Sequence, residues 1–266
     1  MRTASGLKQL LTQIKDNHYE LSDGMEGVIN HMLAFIGHTD AELRDKLIYS
    51  TFAKWAEMEM ISPTQMKQIL DTALRDTHLF FDIGKVNTDS VFTRAFSSLL
   101  IPIAMHVHNK NPFLTNEDIE TIKNAVLRYV ALEKDYRGYV DGYGWAHAVA
   151  HISDALAALA GLLTNKESLR DILQGIHLLA CNCESVYAAE EDERLVTAFM
   201  SVANHRIFTA QELIEFIKRP QEITSDSLKN YYLSVNLKHF KRSLYFRLLG
   251  QEDFAELLAY LKEELA

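Results

Sequence analysis

The most constraining feature of this sequence is the spacing of its apolar residues, which keeps a helical period almost from end to end. Leu43, Leu47, Ile48, Thr51, Trp55 and Met58 recur at i, i+4 and i+7. Leu7, Leu10, Leu11 and Ile14 form a similar stripe near the N-terminus, where a signal peptide would show an unbroken apolar core instead. Start and stop signals divide the pattern. Ser62-Pro63 reads as the cap and first position of a helix over 64–77. Thr88, Asp89 and Ser90 cap an apolar segment over 91–108, which Pro102 kinks. Thr115 or Asn116, with Glu117 and Asp118 just inside, starts a helix running to about Asp135. Further helices are expected over 145–163, 169–187, 193–202, 209–218, 226–249 and 252–265.

With only 4 Pro and 11 Gly, the chain lacks the turns of a β sandwich. The expectation is therefore an all-α fold of roughly ten to twelve helices. Helix pairs recur at roughly 40–50 residues, which suggests antiparallel pairs stacked in a solenoid-like, HEAT/armadillo-like superhelical array. No linker rich in Pro, Gly or Ser interrupts the pattern, so residues 1–266 read as one domain.

A net charge of −9 argues against a general nucleic-acid partner. The longest run of small apolar residues, 155–163, is far short of a membrane span. Cys181 and Cys183 stand two apart, which is neither a metal nor a disulfide spacing. They read as small core residues of a protein in a reducing cytoplasm. Phosphate-loop, dinucleotide-binding, H-E-x-x-H and G-x-S-x-G motifs are absent, and no motif requires a cofactor.

Residues 133–154, E-K-D-Y-R-G-Y-V-D-G-Y-G-W-A-H-A-V-A-H-I-S-D, depart from this helical background. Glycines and tyrosines crowd a loop between two strong helices. The glycines allow left-handed or closely packed backbone, and the tyrosines supply rigid contact area with a polar tip. The helix read after them carries Trp145, Val149, Ile152, Leu156, Leu159 and Leu163 on one face. His147, His151 and Asp154 fall on the opposite face, with alanines between. Such small flanks suit a central, mostly buried helix.

Three readings fit that polar stripe. It can be a buried hydrogen-bond network that fixes helix packing. It can line a pocket in which an imidazole and a carboxylate bind a polar ligand or transfer protons. It can also contribute to a metal site. Seven residues rise about 10.5 Å along a helix, and metal bonds are about 2 Å, so His147 and Asp154 cannot readily share one ion. Further ligands would have to come from Asp135, Asp141, His106 or His108. Arg94 sits in an otherwise apolar helix and needs a carboxylate, for which Asp135, Asp141 and Asp154 are candidates. An intramolecular ion pair is a simpler role for Arg94 than anion binding.

The strings D-S-V-F-T-R-A-F-S (89–97), P-F-L (112–114) and R-G-Y-V-D-G-Y-G-W-A-H-A-V-A-H-I-S-D (137–154) resemble the bacterial family catalogued as domain of unknown function 2785. T-D-A-E-L-R-D-K-L-I-Y-S (39–50) is similar to it as well. The most specific string is W-A-H-x-x-A-H-x-x-D, from Trp145 to Asp154. Tyr143 stands where the relatives usually carry a basic residue. The resemblance implies an all-helical bacterial protein and carries over no catalytic residue.

The segment 229–250 holds five Lys or Arg and no acid, leaving −14 for the remainder of the chain. Tyr231, Tyr232, Phe240, Tyr245 and Phe246 are interleaved with those cations. A long helix with a solvated basic face and an aromatic core face is the plainer reading. The acidic run 190–193 suits a helix start.

Together these features describe a cytoplasmic binding module. Its polar cleft around 137–154 would use Arg94, Asp135, Arg137, Asp141, Tyr143 and Trp145 to hold a small polar or anionic ligand or a peptide segment. One alternative is a hydrolase-type enzyme with His151 as base, supported by His147 or Asp154, with or without a metal. The other is a purely structural polar stripe in a protein that acts through its outer surface.

Overall fold

A computed structural model describes residues 3–21, 23–218, 220 and 224–266. The chain is mostly helical, as its apolar period predicts. It falls into two compact units, Met1–Ala155 and Leu156–Ala266.

The first unit opens with α1 (Ala4–Asp16), which buries Leu7, Leu11 and Ile14, and α2 (Met25–Ala34). A π-helical segment, Glu42–Tyr49, follows and runs directly into α3 (Ser50–Glu57). The apolar spacing does not announce the π geometry, because Leu43, Leu47 and Ile48, at i, i+4 and i+5, share one face in a π turn as well as in an α turn. The segment buries Leu43, Arg44, Leu47 and Ile48. Lys8 of α1 pins its start through Asp40 (2.6 Å) and Glu42 (2.7 Å). Trp55 lies in the core and donates its indole N–H to the Tyr19 carbonyl (2.8 Å), whereas Met58, expected on the same stripe, is exposed.

Next comes α4 (Pro63–Ala73), with Pro63 in its first turn and a reciprocal capping box between Ser62 and Gln65. It packs on α2 and on α6 (Leu100–Lys110). Before α6 lies α5 (Ser90–Ser98). The helical hydrogen bonding is interrupted at Leu99, between α5 and α6, because Pro102 has no N–H to offer the Ser98 carbonyl. Together Ser90–Lys110 is long and apolar enough to cross a membrane, but 83% of that window is buried in the fold, as in a core helix. It is a longer apolar stretch than 155–163. Thr115 and Asp118 form the capping box of α7 (Asn116–Leu132).

The chain then makes a short antiparallel hairpin, β1 (Tyr139–Val140) with β2 (Gly144–Trp145). Only afterwards does α8 (Ala148–Ala160) begin. The helix expected from Trp145 therefore starts three residues late. Two local facts explain the delay. The Gly138 carbonyl accepts both the Ala146 and the His147 N–H (2.8 and 3.2 Å), and His147 holds a left-handed φ of 51°. Trp145 consequently lies on a strand, not on the apolar helix face.

The second unit holds α9 (Lys166–Ala180), α10 (Glu191–Ala203), α11 (Ala210–Glu215), α12 (Ser227–Leu248), a short 3-10 turn (Glu252–Phe254) and α13 (Ala255–Leu265). Its core lies where α12 meets α9, α10 and α13. Helix α9 stops at Ala180, short of the expected 187. Asn236 donates to the Asn182 and Ser185 carbonyls (2.9 and 2.8 Å) and accepts from the Tyr187 N–H, holding 182–187 in a non-helical path. Cys181 and Cys183 are free and half-buried, and burial pushes the Cys181 thiol up to about 12. That thiol is inert at neutral pH.

Close packing at Gly37 positions α5 in the first unit. A Cβ there would collide with the backbone and hydroxyl of Thr93. Gly37→Ala is expected to lower stability by at least about 2 kcal/mol, read as a reduced midpoint in chemical denaturation. An unchanged midpoint would show that α5 can move away without cost.

Candidate functional site

The site is assembled on an irregular stretch between α7 and α8, so directional bonds must fix it where a helix would otherwise do so. Arg94 on α5 supplies the first set. Its side chain is fully buried and forms a bidentate ion pair with Glu133, which directly follows α7. Nε donates to Oε2 at 2.6 Å and one terminal nitrogen to Oε1 at 2.8 Å. The remaining N–H groups donate to the Phe81, Asp82 and Lys85 carbonyls and to the Ser90 hydroxyl. Glu133 Oε1 also accepts the backbone N–H groups of Lys134 and Asp135 (both 2.9 Å). Burial alone would lower the Arg94 pKa, but Glu133 more than offsets it and the net shift is upward.

Asp135 and Arg137 make the second set. Arg137 grips Asp135 with two bonds of 2.7 Å and donates to the Thr88 carbonyl (2.7 Å). Asp135 also accepts the Asn87 N–H (2.9 Å). Both carboxylates and the Arg94 guanidinium are thus committed to the protein, as are Nε and one terminal nitrogen of Arg137. Arg94 meets Glu133, and not Asp135, Asp141 or Asp154 as expected, and its side chain is fully buried. The intramolecular ion pair is formed.

Arg44 of the π segment is the third anchor. It is fully buried and donates to the His38 carbonyl (2.8 Å) and to the Tyr143 and Trp145 carbonyls (2.9 and 3.1 Å). Its guanidinium carbon lies 4.2 Å from the Phe92 ring centroid and 4.8 Å from that of Phe96. Burial lowers its pKa, with Asp45 and Asp40 partly opposing. Gly144, at φ 79°, makes the approach possible, since a Cβ there would lie 2.9 Å from the Ala41 Cβ.

Held in this way, the hairpin points its side chains outward. Tyr139 is 59% exposed, and Tyr143 and Trp145 are each 42% exposed. The Tyr139 and Trp145 rings meet edge to face at 4.9 Å. Trp145 lies 4.1 Å from His147, His147 lies 5.7 Å from His151, and His151 meets Phe96 edge-on at 5.0 Å. A continuous line of rings therefore runs from solvent into the core. His147, His151 and Asp154 are half-buried, not enclosed, and Asp141 is exposed at the loop tip.

Among the described residues, no three His, Cys, Asp or Glu side chains converge to hold a metal. Asp135 is taken by Arg137. The His108 Nδ1 accepts the Phe113 and Leu114 N–H groups (both 3.0 Å), and burial lowers the His108 pKa. His106 is exposed on α6. Sequence reasoning misses Arg44, Glu133 and Gly37. The available signal is an arginine at a buried position of the 39–50 string and an acid at the end of α7.

Replacing Glu133 by Gln leaves the Arg94 charge buried without its carboxylate. The expected loss is about 3–5 kcal/mol in equilibrium unfolding. The double variant Arg94→Met/Glu133→Leu should recover much of that loss, because it removes both charges together. A single variant as stable as the parent would show that the pair does not hold the segment.

No curated protein and no solved structure matches the chain. A family model described as "Protein of unknown function (DUF2785)" matches residues 79–246, which takes in 89–97, 112–114 and 137–154 but not 39–50. The match covers more than half of the chain, which belongs to this DUF2785 family.

Proposed function

We propose that this protein is a binding module whose contact surface is the hairpin at residues 139–145 with the adjoining His147, His151 and Asp154. One observation carries the reading. Three large aromatic rings are held in solvent by buried guanidiniums whose hydrogen bonds stay within the protein. Exposed aromatics on a rigid base lose little conformational freedom on binding, which favours them as contact residues.

The chemistry of the surface narrows the ligand. Arg94 spends its donors internally and Arg137 spends Nε and one terminal nitrogen on Asp135 and the Thr88 carbonyl, so an anion finds little to hold it. A peptide segment or a small polar ligand suits the rings, with Asp141, Asp154 and the imidazoles as polar contacts. The free cysteines fit the reducing interior of a cell, where we place the protein.

The test is a peptide array and a set of small polar compounds, screened in parallel against the parent chain and Trp145→Ala. Binders at this surface should weaken by at least about tenfold in Trp145→Ala and Tyr139→Ala while the unfolding midpoint stays unchanged. Arg44→Met should weaken the same binders and also lower the midpoint, because it frees the hairpin from its anchor. Binders indifferent to all three substitutions would move the functional surface elsewhere.

A further inference from the structure

Helix α12 (Ser227–Leu248) presents a second surface, independent of the hairpin. It buries Leu233, Asn236, Leu237, Phe240, Lys241, Leu244 and Leu248 in the second unit. At about 100° per residue the opposite face carries Tyr231, Val235, Lys238, Arg242, Tyr245 and Phe246. Tyr231 is 62% and Phe246 69% exposed, with Leu228 and Leu249 also exposed beside them. The aromatics of this segment are therefore not all in the core, as its sequence suggested. Phe240 goes inward, while Tyr231 and Phe246 share the outer face with the cations. An outer face this apolar is unusual for a solvated helix and marks a contact surface.

Charge decides what covers it. Lys229, Lys241 and Arg247 are paired with Glu184, Glu264 and Glu193. Among the described residues, Lys238 and Arg242 have no acidic partner and lie one turn apart in the middle of the stripe. A second copy of the chain fits poorly. Pairing α12 with itself in either direction sets four cations against one another at the centre. Nucleic acid and anionic lipid reward a broad field of cations, and here there are two, on a chain whose remainder carries −14. We propose that this face docks an acidic amphipathic helix of a partner protein. Its two carboxylates, one turn apart, meet Lys238 and Arg242, and its apolar residues on either side cover Tyr231 and Phe246.

The stripe from Tyr231 to Leu249 is about 27 Å long, which a helical peptide of about 18 residues matches. The probe is such a synthetic peptide, with Leu at the outer contact positions and one Glu pair at i, i+4. It should bind the full-length protein in fluorescence anisotropy. The double variant Lys238→Glu/Arg242→Glu, whose changes lie on the surface, should weaken it by at least about tenfold without altering the unfolding midpoint. A peptide with Lys in place of the Glu pair should restore binding to that variant. Four results would overturn the proposal: no binding of the Glu peptide to the parent, equal binding to parent and variant, binding at this face to phosphatidylserine vesicles or duplex DNA in its stead, or self-association of the parent that the variant abolishes in sedimentation.

Discussion

The pair between Arg94 and Glu133 is the interaction on which the site segment depends. It joins the middle of α5 to the end of α7, and it does so where no water can share the charges. Removing two ions from water costs several kcal/mol each, so such a pair persists only with near-complete hydrogen bonding. That condition is met. The guanidinium donates to three backbone carbonyls and a serine hydroxyl besides the carboxylate. The carboxylate in turn accepts the N–H groups of residues 134 and 135. The same two side chains thereby satisfy the irregular backbone before α5 and after α7, which helices would otherwise satisfy for themselves.

Arg44 solves a related problem by different means. It has no close carboxylate of the Glu133 kind, since Asp45 approaches only to 3.6 Å. It is stabilised by carbonyl dipoles and by the faces of Phe92 and Phe96. The two arginines consequently shift in opposite directions. Burial wins at Arg44 and lowers its pKa, whereas the ion pair wins at Arg94 and raises it. An arginine side chain stays protonated in proteins, so both act as fixed charges. Arg44 also gives the π segment a purpose. The local change of helical winding sets its side chain toward the hairpin carbonyls while Leu43, Leu47 and Ile48 stay in the core.

Much of the helical framework was legible because local chemistry and burial agreed there. Ser62 with Pro63, Thr115, Thr209 and Asp226 each cap the helix that their residue types announce. The stripe Val149, Ile152, Leu156, Leu159 and Leu163 is buried as its period requires. Legibility failed where long-range bonds overrode local preference. The alanines after Trp145 favour helix, yet the Gly138 carbonyl captures the N–H groups of Ala146 and His147. Strands of two residues have no period to detect. Beyond Ala180, an asparagine far along the chain holds the backbone open. At the site, residue types were readable and partners were not. That Arg94 needed a carboxylate followed from its apolar neighbours, but the choice of Glu133 is a property of how α5 meets α7.

The contrast between the hairpin and α12 shows why buried ionic groups are informative in a helical protein. A helix can expose aromatic residues without special support, because its own backbone bonds hold them in register, as on the outer face of α12. A short loop has no such frame. Its rings stay in place only if polar groups reach the backbone from outside, and in a helical core those groups must be buried. Arg44, Arg94 and Glu133 are all at or near zero exposure, and most of their bonds end on residues 133–145, on the turns before α5 or on its first residue, with Arg44 also reaching the His38 carbonyl. A well-packed bundle would need none of these charges for helix packing alone, since apolar side chains of similar volume serve at least as well. Their concentration beneath one loop is the physical reason to treat that loop as a surface held for use and not as a mere connection between helices.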